Sequence, residues 1–170
     1  IAGFKAVHVH ESATNEGLAR SIIGGVTTVL NQCGKIIVLE DDIVTSPGFL
    51  QYMNDALRTY QDDNQVMHIS GYFYPIRTLG KGTHFLRILS CWGWGTWKRA
   101  WQHFDADAKV HLAKIRTEQD IKAFNINGHA DFYEQLQQNQ RGEIFTWAVK
   151  WYASWLFAGG YSLFPAKSLT

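Results

Sequence analysis

The order of apolar and polar positions predicts alternating strands and helices over the first half of the chain. Residues 4–10 alternate apolar and polar side chains, as a half-buried strand does. Apolar residues recur at helical spacing over residues 16–32, and residues 35–39 form a β-branched run typical of a strand buried on both faces. A second helix opens at residues 46–47 with a proline in its first turn, and residues 66–72 predict another strand. This β-α-β-α-β order favours a mostly parallel sheet flanked by helices.

The second half of the chain predicts shorter elements. Residues 72–82 contain one proline and two glycines and predict a loop, which a strand over residues 83–89 follows. The sequence SCWGWG over residues 90–95 predicts a second loop, and a helix is expected from Thr96 to about Phe104. Residues 105–142 are polar and predict helix in pieces, before a helix over residues 145–157 and a closing strand over residues 161–164. We therefore expect a single α/β domain over residues 1–170.

Composition and charge exclude several classes of protein. With 46% hydrophobic and 18% charged residues, the 170-residue chain is neither disordered, collagen-like nor a coiled coil. Its net charge of +1 provides no field of one sign to attract nucleic acid. The sequence shows neither a signal-peptide pattern nor an apolar run near the ~18–20 residues of a membrane span. Two cysteines do not make a disulfide framework, so we expect a cytoplasmic location, with the inner face of the membrane as an alternative.

The clearest chemical signal is a run of three carboxylates directly after a predicted buried strand. Glu40, Asp41 and Asp42 follow residues 35–39, and open α/β sheets bind their ligands at the carboxyl ends of strands. Adjacent carboxylates repel one another, and a divalent cation removes that cost. Mg²⁺ and Mn²⁺ are often held by one or two carboxylates together with substrate phosphates. The alternative is a solvated acidic turn before the helix that begins near Pro47.

Tryptophan is unusually abundant, with seven residues in a chain that is 14% aromatic. Trp92 and Trp94 alternate with Gly93 and Gly95 in a predicted loop, where glycine allows close backbone approach and an indole offers a flat apolar face. Such a face suits the C–H side of a sugar ring, and the alternative is that both rings fill the core. Core packing is the better interpretation for the tryptophans at helical spacing, which are Trp97, Trp101, Trp147, Trp151 and Trp155.

The segment IIVLEDDIVTSPGFLQYMNDAL resembles the acidic-motif region of nucleotide-sugar glycosyltransferases of the GT-A fold. It is similar to bacterial sugar transferases related to the Golgi N-acetylglucosaminyltransferase that initiates complex N-glycans, in which Glu-Asp-Asp replaces the commoner Asp-x-Asp. Two shorter segments add to the resemblance. NEGLAR, from Asn15 to Arg20, resembles the segment that opens the helix before the acidic strand, and SCWGWGTW resembles a Gly-x-Gly-Trp loop near donor and acceptor. The resemblance runs over most of residues 5–169.

The resemblance implies a GT-A-like, mostly parallel sheet and an inverting, metal-dependent sugar transfer. The donor would be a nucleoside-diphosphate sugar, with a UDP-sugar expected, and the acceptor a hydroxyl of a glycan, a lipid-linked sugar or a growing bacterial polysaccharide. Asp42 would bind Mn²⁺ or Mg²⁺. The residues implied in donor binding are Asn15, Arg20, Glu40 and Asp41, and those implied in acceptor or sugar binding are Trp92, Gly93 and Trp94.

The sequence departs from the family pattern in two places. GT-A domains normally begin with a strand–loop–helix unit that binds uracil and ribose, and here that unit is absent or lies outside the sequence. The catalytic base of the group is an Asp near the start of a late Trp-containing helix, whereas the matching stretch EIFTWA, residues 143–148, has none. Glu143 is the nearest carboxylate and the candidate base, and the alternative is an exposed residue leading the helix.

Two other functions stay open at this point. One is a non-catalytic or degenerate carbohydrate-binding domain, favoured by the missing Asp and the abundant Trp. The other is a metal-dependent phosphohydrolase that uses the three acids, although such sites usually recruit further Asp or His ligands from other strand ends.

Overall fold

The structure is a computed structural model, which describes residues 3–75, residue 80 and residues 82–170. Its strands are β1 (Lys35–Val38), β2 (Val66–Ser70), β3 (His84–Leu86), β4 (Trp94–Trp97) and β5 (Tyr161–Phe164). Its α-helices are α1 (Leu18–Cys33), α2 (Phe49–Thr59), α3 (Lys98–Trp101), α4 (Ala108–Leu112), α5 (Glu118–Phe124), α6 (Phe132–Arg141) and α7 (Ala148–Phe157). A short 3₁₀ turn, Ile126–Gly128, lies between α5 and α6.

In the described part of the chain, the strands form one five-stranded mixed sheet in the order β1-β4-β2-β5-β3. Strand β4 is antiparallel to both β1 and β2, β5 is parallel to β2, and β3 is antiparallel to β5. The α/β class is therefore confirmed, but the expectation of a mostly parallel sheet is wrong. Strands β1 and β2 do run in the same direction, as the helical connection between them requires. The antiparallel β4 separates them, and it begins inside SCWGWG, the segment predicted as a loop.

Helices cover both faces of the sheet. Successive strand residues point to opposite faces, and Ile37 packs with Phe49, Met53 and Leu57 of α2 on one face. Ile36 and Val38 pack on the other face, against α1 and α7. That second core contains most of the tryptophans, namely Trp94, Trp101, Trp147, Trp151 and Trp155. The core interpretation of the helically spaced tryptophans is thus confirmed, with Trp97 in the α2 core.

The predicted strand over residues 4–10 is wrong, because this segment is exposed and forms no ladder. An alternating pattern suits a strand, but a strand also needs a neighbour for its backbone hydrogen bonds, and none pairs with this segment among the described residues. The strand predicted over residues 83–89 is shorter, at His84–Leu86. Part of the predicted loop over residues 72–82 lies outside the described residues. In the described part of the chain, no helix is both long and apolar enough to cross a bilayer.

Candidate functional site

The carboxyl ends of β1 and β2 and the amino end of β4 meet at one edge of the sheet. Val38 and Ser70, at the ends of β1 and β2, both pair with Trp94, the first residue of β4. The residues just beyond these positions are therefore neighbours. We call this region the acidic edge and define it as residues 39–42, 71–72 and 91–93.

The three acids of the acidic edge share a tight turn. Glu40 is half-buried, Asp41 and Asp42 are exposed, and the N–H of Ile43 donates to the carbonyl of Glu40 at 3.2 Å. Burial raises the pKa of Glu40, and the negative charges of Asp42 and Asp41 raise it further. The crowding expected from the sequence is therefore present, and a bound cation would relieve it.

A cation bound at the acidic edge would need further ligands from water or from a bound substrate. Among the described residues, no three His, Cys, Asp or Glu side chains converge on one point as a metal site. Mg²⁺ and Mn²⁺ sites built from one or two carboxylates take their remaining oxygen ligands from water and substrate phosphates. The carboxylates of Asp41 and Asp42, both exposed, fit that kind of site.

An aromatic group stands beside the acids. Trp92 is 50% exposed, and its ring meets that of Tyr72 edge-on at 4.6 Å, while Tyr72 meets Tyr74 at 5.2 Å. The hydroxyl of Thr170 donates to the carbonyl of Trp92 at 3.0 Å and so helps to fix this loop. The indole of Trp92 is therefore exposed at the acidic edge, and its role in sugar binding stays a prediction.

The other two predicted sugar-binding residues have structural roles. Trp94 is 0% exposed and stacks on Trp147 at 5.2 Å and on His68 at 5.3 Å, so its ring fills the core and cannot contact a sugar. Its assignment to sugar binding is wrong for that reason. Gly93 has a φ of +71°, and a Cβ there would lie 2.7 Å from Thr170 Cγ2. Glycine is needed at residue 93 for the backbone to fit.

The predicted donor-binding residues of the NEGLAR segment lie at the start of α1. The Asn15 carboxamide oxygen accepts the N–H of Gly17 at 2.8 Å, which shapes the turn into the helix. Arg20 is exposed, and its guanidinium carbon lies 5.7 Å from the centre of the Phe145 ring. Because Gly34 reverses the chain between α1 and β1, the start of α1 lies toward the same end of the sheet as the acidic edge.

Glu143 is held by an arginine. The Arg141 guanidinium donates to both carboxylate oxygens of Glu143, at 2.6 and 3.0 Å, and also to Glu134 at 2.7 Å. This pairing lowers the pKa of Glu143. A carboxylate that is stabilised in its charged form is a weaker base. The geometry therefore favours the alternative, an exposed residue that precedes α7.

Sequence reasoning missed one charged residue near this segment. Lys150 lies on α7, is only 3% exposed, and places its ammonium 4.6 Å from the centre of the Phe145 ring. Burial lowers its pKa, and the charge of Asp107 opposes that shift. The available signal was a single lysine in the otherwise apolar helix AVKWYASWLF, but helical spacing alone does not show that the lysine is buried.

Comparison of the chain with protein-family models, with curated proteins and with solved structures finds no match in any of the three. The fold and site define an α/β protein with a mixed five-stranded sheet and a cluster of carboxylates at one end of it. A functional conclusion must therefore rest on the chemistry of the acidic edge and its surroundings.

Proposed function

We propose that this protein is a metal-dependent glycosyltransferase of the GT-A type. It would transfer a sugar from a nucleoside-diphosphate donor, expected to be a UDP-sugar, to a hydroxyl of a glycan or polysaccharide. The observation that carries the proposal is the position of Glu40, Asp41 and Asp42 at the carboxyl end of β1, with the half-exposed ring of Trp92 beside them. This juxtaposition offers oxygen ligands for a cation and an aromatic face for a sugar in one place.

Each group at the acidic edge has a role in the proposed reaction. Asp42 would hold Mn²⁺ or Mg²⁺, with Glu40 and Asp41 toward the nucleoside of the donor. The metal, when bound, acts as a Lewis acid on the leaving diphosphate. The indole of Trp92 would pack against a sugar ring.

The transfer also needs a base. The acceptor hydroxyl loses its proton and its oxygen bonds to the anomeric carbon, while the bond from that carbon to the diphosphate oxygen breaks. Glu143 is the candidate from the sequence, and it could accept the proton only after releasing Arg141. The assignment of Glu143 as the base therefore stays a prediction, and its ion pair with Arg141 disfavours it.

Calorimetric titration with UDP, with and without Mn²⁺, tests the proposal. We expect Mn²⁺-dependent UDP binding that Asp42→Asn weakens about tenfold or more, equivalent to ~1.4 kcal/mol. The control is Asp131→Asn, an exposed carboxylate that makes no capping hydrogen bond, which should bind as the wild type does. Metal-dependent binding that survives in Asp42→Asn would remove the metal assignment, and the absence of such binding in the wild type would contradict the proposed function.

The ion pair of Glu143 favours a second candidate, a degenerate or non-catalytic carbohydrate-binding domain. Its EIFTWA segment has no Asp to serve as base, and the nearest carboxylate is engaged by Arg141. Glycan binding that ignores metal and nucleotide and is lost in Trp92→Ala would support this candidate. Mn²⁺-dependent release of UDP from a UDP-sugar would exclude it.

A further inference from the structure

One exposed aromatic ring, that of Phe145 in the segment between α6 and α7, lies near two cationic side chains from other elements, Arg20 of α1 and Lys150 of α7. Phe145 is 57% exposed, with the Lys150 ammonium 4.6 Å and the Arg20 guanidinium 5.7 Å from its ring centre. The two charges are thus at most 10.3 Å apart, the sum of these distances. We call Arg20, Phe145 and Lys150 the Phe145 cluster.

Lys150 is buried without a counter-ion. Only 3% of the residue is exposed, and neither Lys150 nor Arg20 forms a salt bridge in the described part of the chain. Lysine is rarely this buried unless it is paired, yet the Lys150 ammonium is not one of the buried side-chain nitrogens without a partner among the described residues, so it reaches the surface, where a ligand can contact it. A second cation nearby adds repulsion, so the Phe145 cluster is poised to bind an anion.

The acidic side chains near the cluster do not neutralise it. Glu143 lies two residues from Phe145, but Arg141 holds its carboxylate. Asp107 acts on Lys150 only at a distance, and its carboxylate caps α4 by accepting the N–H of Lys109 at 2.9 Å. An anionic ligand could therefore supply the negative charge that the described side chains do not.

The core connects the Phe145 cluster to the acidic edge. Trp147, two residues after Phe145, stacks on Trp94 at 5.2 Å. Trp94 pairs with Val38, two residues before Glu40. Val38, Trp94 and Trp147 belong to the same core, so the cluster and the end of β1 lie on the same face of the sheet.

We propose that Lys150 and Arg20 bind the diphosphate group of the nucleotide-sugar donor. This inference rests on the proposed function. The three carboxylates of the acidic edge would repel an anionic diphosphate, and Lys150 and Arg20 would supply positive charge to offset that repulsion. Charge-assisted contacts from ammonium or guanidinium to oxygen are about 2.7–2.9 Å long. A diphosphate carries oxygens on two phosphorus atoms, so one group can accept from Lys150 and another from Arg20, whose charges lie within 10.3 Å of each other.

The first test compares UDP with uridine, which lacks the phosphates, by calorimetry in the presence of Mn²⁺. Lys150→Met keeps most of the apolar stem and should weaken UDP binding about tenfold or more while leaving uridine binding unchanged, and Arg20→Gln should act in the same direction. The control is Lys122→Met, an exposed lysine on α5. Unchanged UDP binding in Lys150→Met, or an equal loss for UDP and uridine, would overturn the inference.

Thermal unfolding separates a binding role from a structural one. If Lys150 is retained to bind an anion, replacing a largely buried lysine that has no salt bridge should leave the unfolding midpoint of Lys150→Met equal to or higher than that of the wild type. A lower midpoint, with a matching loss of uridine binding, would mark the lysine as structural.

Sodium pyrophosphate, without metal or nucleotide, separates failure of this inference from failure of the proposed function. Pyrophosphate binding that Lys150→Met and Arg20→Gln both lose, together with no Mn²⁺-dependent UDP binding, would support the anion site and contradict the glycosyltransferase. UDP binding that needs Asp42 but not Lys150 would overturn the anion site and support the transferase. Failure of both UDP and pyrophosphate to bind the wild type would overturn both.

Discussion

His68 joins β2 to α7 through hydrogen bonds that only a neutral imidazole can make. Its Nε2 lies 2.9 Å from the carbonyl oxygen of Ser90, and its Nδ1 accepts the indole N–H of Trp151 at 3.1 Å. Protonation of Nδ1 would replace this acceptor with a second donor, which would face the N–H of Trp151 and break the hydrogen bond. The residue is 0% exposed, and burial lowers its pKa from 6.5 to about 4, although the Ser90 carbonyl opposes this shift.

This geometry predicts a loss of stability in mild acid. The unfolded chain binds a proton at His68 near pH 6.5 and the folded chain only near pH 4, so the unfolded state gains protons first as the pH falls. The stabilisation of the folded state that comes from neutral His68 is therefore fully present above pH 6.5 and is lost progressively as the pH falls toward 4. A shift of this size corresponds to ~3 kcal/mol of unfolding free energy, a large part of the ~5–15 kcal/mol typical of a domain.

Urea unfolding, followed by tryptophan fluorescence between about pH 7 and pH 4.5, measures this loss. His68→Gln keeps an N–H donor toward Ser90 but does not titrate, so it should be less stable at neutral pH and show a flatter pH dependence. Some acid sensitivity should persist, because burial also lowers the pKa of His111. The control is exposed His129→Gln, which should keep the wild-type slope. A loss of stability with falling pH in His68→Gln as steep as in the wild type would refute this role of His68.

Three further substitutions test residues 92–94, at and next to the acidic edge. Gly93→Ala should lower the unfolding free energy by ~1–3 kcal/mol, because the residue has φ +71° and its Cβ would lie 2.7 Å from Thr170 Cγ2. Gly159→Ala, which shares a positive φ but has open space, should cost less in the same urea titration, and an equal cost would contradict the steric argument. Trp94→Ala should cost ~3–5 kcal/mol, since it empties a fully buried site. Trp92→Ala should change the unfolding free energy by less than ~1 kcal/mol while weakening sugar binding in calorimetry. A larger loss of unfolding free energy in Trp92→Ala than in Trp94→Ala would contradict the core position of Trp94 and the exposed position of Trp92.

Local periodicity was enough to predict the elements that lie in their expected places. α1, α2 and α7 carry apolar side chains at helical spacing, and β1 and β2 are short apolar runs between polar turns. The position of Glu40, Asp41 and Asp42 at the end of β1 followed from the same pattern, because a carboxylate run adjoins the strand in the chain itself. These features depend on residues within a few positions of one another.

The features that depend on distant residues emerged only in the tertiary structure. Strand β4 lies between β1 and β2 because its backbone pairs with β1 across more than 50 residues of chain and with β2 across more than 20. This pairing begins at Trp94, which is buried, whereas Trp92 lies before the strand and stays half-exposed. Residues 4–10 have an equally suitable pattern but no partner strand among the described residues. The burial of Lys150 beside Arg20 and Phe145 arises in the same way, because packing between elements decides which side chains lose their water.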